Sequence, residues 1–172
     1  MNKIVSLLIV ILLVANAGIH AQEQGFQFKM VKEVNSSPVK NQQRTGTCWS
    51  FATTSYIETE LLRMGKPLFD ISEMFFVRQA YNSKAVNYVR YHGNNNFGQG
   101  GQAHDVFDII RTHGMLTEKE YPGLNYGSES HAHAELEAVL KAFVKAVVEN
   151  PNRKLTTAWL PAYNSILDAY LG

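Results

Sequence analysis

Cys48 is the only cysteine in the chain, and it stands between Gly46-Thr47 and Trp49-Ser50-Phe51-Ala52, where an irregular segment gives way to helical spacing. A thiolate is the attacking form of cysteine. The partial positive charge at a helix N-terminus favours that form, so a cysteine on the first turn is placed for nucleophilic attack. Gln42 lies six residues upstream, on the segment that leads into the helix. Its amide can donate to the oxyanion that forms when sulfur attacks a carbonyl, together with the backbone N–H of Cys48. Gly46 lets the chain turn tightly just ahead of the nucleophile. The chemistry these residues suggest is acyl transfer by a thiol. A lone thiol also fits a buried bystander or an intermolecular cross-link, and the neighbours of Cys48 decide for the nucleophile.

Pro38, Val39, Asn41, Gln42, Gly46, Cys48, Trp49, Phe51 and Ala52 match the active-site segment of the papain-like cysteine peptidases. That segment has the form Pro-Val-x-Asn-Gln, six residues from Gln to Cys, then Cys-Trp-x-Phe-Ala, and the chain resembles this family. The resemblance implies Cys48 as nucleophile, Gln42 as oxyanion donor and the Trp49 ring packed beside the site. Ile71-Ser72-Glu73 resembles the start of the family's second helix, and Gly100-Gly101 its paired glycines, whose backbone bonds the substrate chain. Glycine there lets a peptide lie close against the loop. Thr45 stands where many exported members carry a second cysteine tied into a disulfide. Its absence, the Gln99 to Asp105 run and the long helical segment from His131 onward point to the aminopeptidase C (bleomycin hydrolase) branch, where helices are inserted into the common plan. The resemblance runs from about Val31 to Gly172.

An acyl transfer also needs an imidazole to move protons and a third group to orient it. In papain-like enzymes these follow the cysteine by roughly 130 to 150 residues, and the expected positions lie beyond Gly172. His20 belongs to the leader. His92 and His113 sit at helix ends beside Gly93 and Gly114, and His104 follows the paired glycines. His131-Ala132-His133 has two imidazoles but no third ligand at metal-binding spacing, so it reads as a polar helix start, and no metal or other cofactor is expected.

The elements that must position these residues are mostly helical. Trp49, Ala52, Tyr56, Leu61 and Leu62 recur at helical spacing after Thr47, which can cap, and Gly65 ends the run. Asp70 or Ser72 can cap a second helix that reaches about Tyr91, and a third spans about Gln102 to His113 before Gly114. Leu136, Val139, Leu140, Phe143, Val144, Val147 and Val148 form an unbroken apolar stripe ended by Asn150-Pro151. A last helix starts near Thr157 and uses Leu160, Tyr163, Ile166, Leu167, Tyr170 and Leu171. Phe26-Gln27-Phe28-Lys29-Met30 alternates with period two and predicts a short strand. The expected class is α+β. The papain-like plan implies a helical lobe facing a β-rich lobe, with the Cys48 helix at the seam; this sequence supplies mainly the helical lobe, and the β-rich lobe is missing.

Residues 1–21 read as a signal peptide: Lys3, the apolar run Ile4 to Val14, and small-residue cleavage patterns ending at Ala17 or Ala21. The run is too short and interrupted for a stable membrane anchor, and export to the periplasm or outside the cell is expected. Residues 22–172 then form the incomplete peptidase domain. The chain has 172 residues, 45% hydrophobic, with Lys+Arg 16 against Asp+Glu 15, a balance that gives no pull toward nucleic acid. The expected partner is a peptide substrate. The face meant for the β-rich lobe would be exposed and prone to association, with a second copy or with a separately encoded β-rich lobe. The alternative function is a non-catalytic peptide-binding or association module.

Overall fold

The structure is a computed structural model that describes residues 26–172. The signal peptide expected over residues 1–21 lies outside the described residues. Residues 26–34 belong to a unit separate from Asn35–Gly172. They carry no regular structure, and Phe26 and Phe28 are each 93% exposed. The strand expected over Phe26 to Met30 is therefore not formed. Alternation alone makes no strand; the backbone groups need a neighbouring strand to bond to.

The second unit holds five helices: α1 (Cys48–Arg63), α2 (Glu73–Arg90), α3 (Ala103–His113), α4 (Ala134–Val148) and α5 (Trp159–Leu171). Among the described residues the only β features are two isolated bridges, Arg44 with Ala132 and Ile71 with Thr117. The α+β expectation is corrected accordingly: what is described is all-helical and corresponds to the helical lobe alone.

Local chemistry sets the helix ends. Gly65, at φ +73°, closes α1 by donating to the Leu62 carbonyl, while Lys66 N–H reaches Leu61, which satisfies two orphan carbonyls of the last turn. Ser72 caps α2 by accepting from Phe75 N–H at 3.1 Å. Gln102 and Asp105 form a reciprocal capping box at the start of α3. Thr47 is the residue before α1 but does not cap with its side chain. Its hydroxyl lies 2.5 Å from that of Thr45 instead.

α2 is the central helix and packs against all four others, while α1 contacts α3 and α4 contacts α5. Its Phe76, Val77, Ala80, Tyr81 and Ala85 are buried. The core also takes Leu136, Leu140 and Val144 from α4 and Tyr163, Leu167 and Leu171 from α5, while Val139 of the expected stripe is exposed. α1 departs from its expected face. Ala52 and Tyr56 are exposed, while Ser50, Thr53, Thr54 and Glu58 are buried. The helix turns a polar side inward, and the reason lies in the site.

Candidate active site

Cys48 is a free, exposed thiol on the first residue of α1. The Thr47 carbonyl accepts from Ser50 N–H at 2.9 Å and Phe51 N–H at 3.3 Å. No side chain caps this turn. An uncapped start leaves N–H groups and the positive end of the helix dipole for whatever approaches the thiol.

The segment ahead of Cys48 is folded on itself. Gln42 Nε2 donates to the Thr45 carbonyl at 2.6 Å, and Thr45 Oγ1 donates to the Gln42 carbonyl at 2.8 Å. A primary amide has two N–H groups, so one is committed to the loop and the other is left for a ligand. Thr45 thus joins a network of polar contacts with Gln42 and Thr47.

Trp49 is buried, with Nε1 donating to the Gln99 carbonyl at 2.9 Å. Its indole lies flat against Gly101: a Cβ there would sit 2.6 Å from Trp49 Cε2, whereas one at Gly100 would meet nothing within 4 Å. Gly101 is therefore required for the close approach of the ring, and Gly100 leaves the loop open to the outside. Lys84 of α2 braces the same loop, donating to the Gly98 carbonyl at 3.0 Å and to the Gly100 carbonyl, with Nζ 5.7 Å from the centre of the Trp49 ring. Burial pulls the Lys84 ammonium below its usual range, against the nearby carboxylates of Asp105 and Glu137. The structure thus brings Trp49, Gly100 and Gly101 together next to Cys48, with Gln42 on the loop that feeds α1.

Beneath this surface sits a cluster that sequence reasoning passed over. Lys40 Nζ lies 3.0 Å from Glu58, 2.6 Å from Asp70 and 2.9 Å from Glu73, and also donates to the Ile71 carbonyl at 3.2 Å. Glu58 also accepts from Ile71 N–H at 2.8 Å, and Glu73 from Thr54 Oγ1 at 2.9 Å. Burial pulls the Lys40 ammonium down, but Asp70, Glu73 and Glu58 outweigh it and hold the group above its ordinary range. This cluster explains the inward polar side of α1. It ties the Cys48 segment, α1 and the start of α2 together. The one local signal was Glu58, which shares a helical face with Ser50 and Thr54.

None of the described histidines bonds Cys48. His104 lies 3.7 Å from Asp105, and His113 Nδ1 is 2.7 Å from Thr112 Oγ1. His131 and His133 pack edge to face with ring centres 5.8 Å apart. Both His133 nitrogens are buried without a partner, and burial together with His131 pushes that imidazole down to about 4. No third metal-ligating group joins them among the described residues.

The sequence of residues 25–163 matches the family described as "Papain family cysteine protease". Over 89 residues it is 37% identical to "Cysteine proteinase 2" of Zea mays, covering 50% of this chain and 21% of that protein. "Oryzain beta chain" of Oryza sativa subsp. japonica is 33% identical over 87 residues, 50% of this chain and 16% of its own length. "Pro-cathepsin H" of Mus musculus is 32% identical over 115 residues, 65% of this chain and 30% of that protein. The chain thus spans less than a third of the length of each. With the family match covering the Cys48 segment, all of α1 to α4 and the first part of α5, the chain belongs to the papain family of cysteine proteases.

Proposed function

We propose that this chain is the nucleophile-bearing part of a cysteine peptidase of aminopeptidase C type. The observation that carries the reading is the exposed Cys48 thiol on an uncapped helix start, followed by Trp49, against whose ring Gly101 packs while the adjoining Gly100 stays open. In this reading a peptide lies along Gly100 and Gly101, and the Cys48 thiolate attacks the scissile carbonyl carbon. A C–S bond forms and the carbonyl electron pair moves to oxygen. The free N–H of Gln42 and the N–H of Cys48 hold that oxyanion. Collapse breaks the C–N bond, the amine leaves with a proton from an imidazolium, and water then releases the acyl group from sulfur. The imidazole and its orienting group come from a β-rich lobe that covers Cys48, Ala52, Ser55 and Tyr56, either in the same chain or as a separate one. Export rests on the leader at residues 1–21, with a mature start at Gly18 or Gln22.

A second reading, a peptide-binding module without catalysis, is favoured by the lack of a bond between Cys48 and any described histidine. One assay separates the two. A fluorogenic aminoacyl amide is offered to residues 1–172 and to a version extended through the β-rich lobe, each with a Cys48→Ala control. The expected result is negligible turnover by the short chain and Cys48-dependent release of N-terminal residues by the long one, because a base and nucleophile act as a unit. Turnover by the short chain would overturn the external base. An inert long chain that still retains peptides would select the binding module.

A further inference from the structure

Gln99 holds two positions on the Cys48 side of the molecule at once. Its side-chain oxygen accepts from Gly46 N–H at 2.7 Å, two residues before the nucleophile, and its backbone carbonyl accepts from the Trp49 indole, one residue after it. Its amide nitrogen donates at 2.6 Å to Glu137 Oε2, on the first turn of α4. The amide can adopt only one orientation under these conditions. A carboxylate accepts and never donates, and a backbone N–H donates and never accepts. Glu137 therefore fixes which end of the Gln99 amide faces Gly46, and a charge-assisted bond does so more firmly than a neutral one.

The packing is built around this arrangement. A Cβ on Gly46 would lie 3.0 Å from Gln99 Cβ, and a Cβ on Gly98 would lie 3.0 Å from Glu137 Oε1. Small residues at both points let the two side chains close in. A second set of ties runs between the same two regions of chain. Arg44 N–H donates to the His131 carbonyl at 3.1 Å, His133 N–H donates to the Arg44 carbonyl at 3.3 Å, and Gln43 Oε1 accepts from His131 N–H.

We propose that Gln99 is a positioning residue for Cys48, and that Glu137 of α4 keeps it in register through the chain Glu137, Gln99, Gly46. This rests on the peptidase reading for its purpose. The three hydrogen bonds of Gln99 tie Gly46 and Trp49, on either side of Cys48, to α4 and make that helix part of the support of the nucleophile. α4 then has a task beyond filling the core.

The test reads the loop directly, by hydrogen exchange of the Gly46 amide and the Trp49 indole N–H in the 172-residue chain. Gln99→Met keeps the bulk of the side chain and loses both of its hydrogen bonds. The Gly46 amide should then exchange about tenfold faster, with the Leu140 amide of the core unchanged. Glu137→Ala should accelerate Gly46 severalfold, and Glu137→Gln, which still presents an acceptor, should return it close to the parent rate. That rescue is what a simple loss of α4 stability would not give. A Gly46 rate within twofold of the parent in Gln99→Met would overturn the proposal. Equal rates in the two Glu137 variants would do so as well. Neither readout needs turnover, so failure here strikes the clamp and leaves the peptidase reading standing, while an inactive long chain with an intact clamp would do the reverse.

Discussion

One ammonium group serves three carboxylates at Lys40, and two of them, on Glu58 and Glu73, are almost wholly buried. Replacing Lys40 by Met would leave these two carboxylates close together without a cation, the situation in which breaking a buried pair costs about 3–5 kcal/mol. Urea unfolding of Lys40→Met should show a loss of that order, and a loss below about 1 kcal/mol would mean that water or protonation takes over the role of the ammonium. The same cluster marks where sequence reading stops at the residue scale. Lys40 occupies the variable position between Val39 and Asn41 and looks anonymous there. Its importance comes from partners distant along the chain, and no local spacing encodes such a meeting. Cys48 stood out for the opposite reason, since a cysteine at a helix start is a local signal, whereas Gly101, singled out by resemblance for binding substrate, proves to pack under the Trp49 ring, a contact no local spacing announced.

Helix boundaries were legible where a single residue sets them, as Gly65, Ser72 and Gly114 do. What was not legible was which side of α1 faces inward beyond Trp49, because the buried polar cluster at Glu58 overrides the apolar spacing that Ala52 and Tyr56 continue. Two connections between elements carry groups that titrate against each other. Glu118 lies beside the Ile71–Thr117 bridge, and burial, with Glu73 and Asp70 nearby, raises its carboxyl from 4.5 to about 7. His133 opens α4, and its imidazole falls from 6.5 to about 4. Between pH 4.5 and 7 the folded chain holds the Glu118 proton more tightly than the unfolded chain does, so this group makes stability fall as pH rises. Between pH 4 and 6.5 the unfolded chain binds the His133 proton more tightly, so that group makes stability rise. Over the shared window the two oppose each other. In Glu118→Gln the opposing contribution is gone, while the imidazoles of His133 and His131, both lowered by burial, remain. The unfolding free energy from urea curves should climb from pH 4.5 to 6.5, the His133 share by at most about 1.4 kcal/mol per pH unit, while the parent stays flatter. Identical pH profiles for the two proteins would refute the opposition.

At the scale of the molecule, the sequence led to the family and to its helical lobe, since the Cys48 segment and the order of helices are both carried by short, strong signals. The alternation at Phe26, Phe28 and Met30 misled because a strand depends on what lies beside it. The Cys48, Ala52, Ser55 and Tyr56 stripe of α1 is exposed, which the helical spacing of Ala52 and Tyr56 does not announce. The close approach of Trp49 to Gly101 has one more consequence. The chain has two tryptophans, Trp49 and Trp159, so Trp159→Phe leaves a single indole, buried under the glycine loop with the Lys84 ammonium nearby. A peptide settling on Gly100 and Gly101 changes the polarity and charge around that ring, and its fluorescence should shift in intensity or wavelength in a saturable way. Cys48→Ala should leave the signal in place, and an emission blind to added peptide would argue against a binding loop at Gly100-Gly101. Occupancy of the loop then becomes visible as light, whether or not any bond is ever cut.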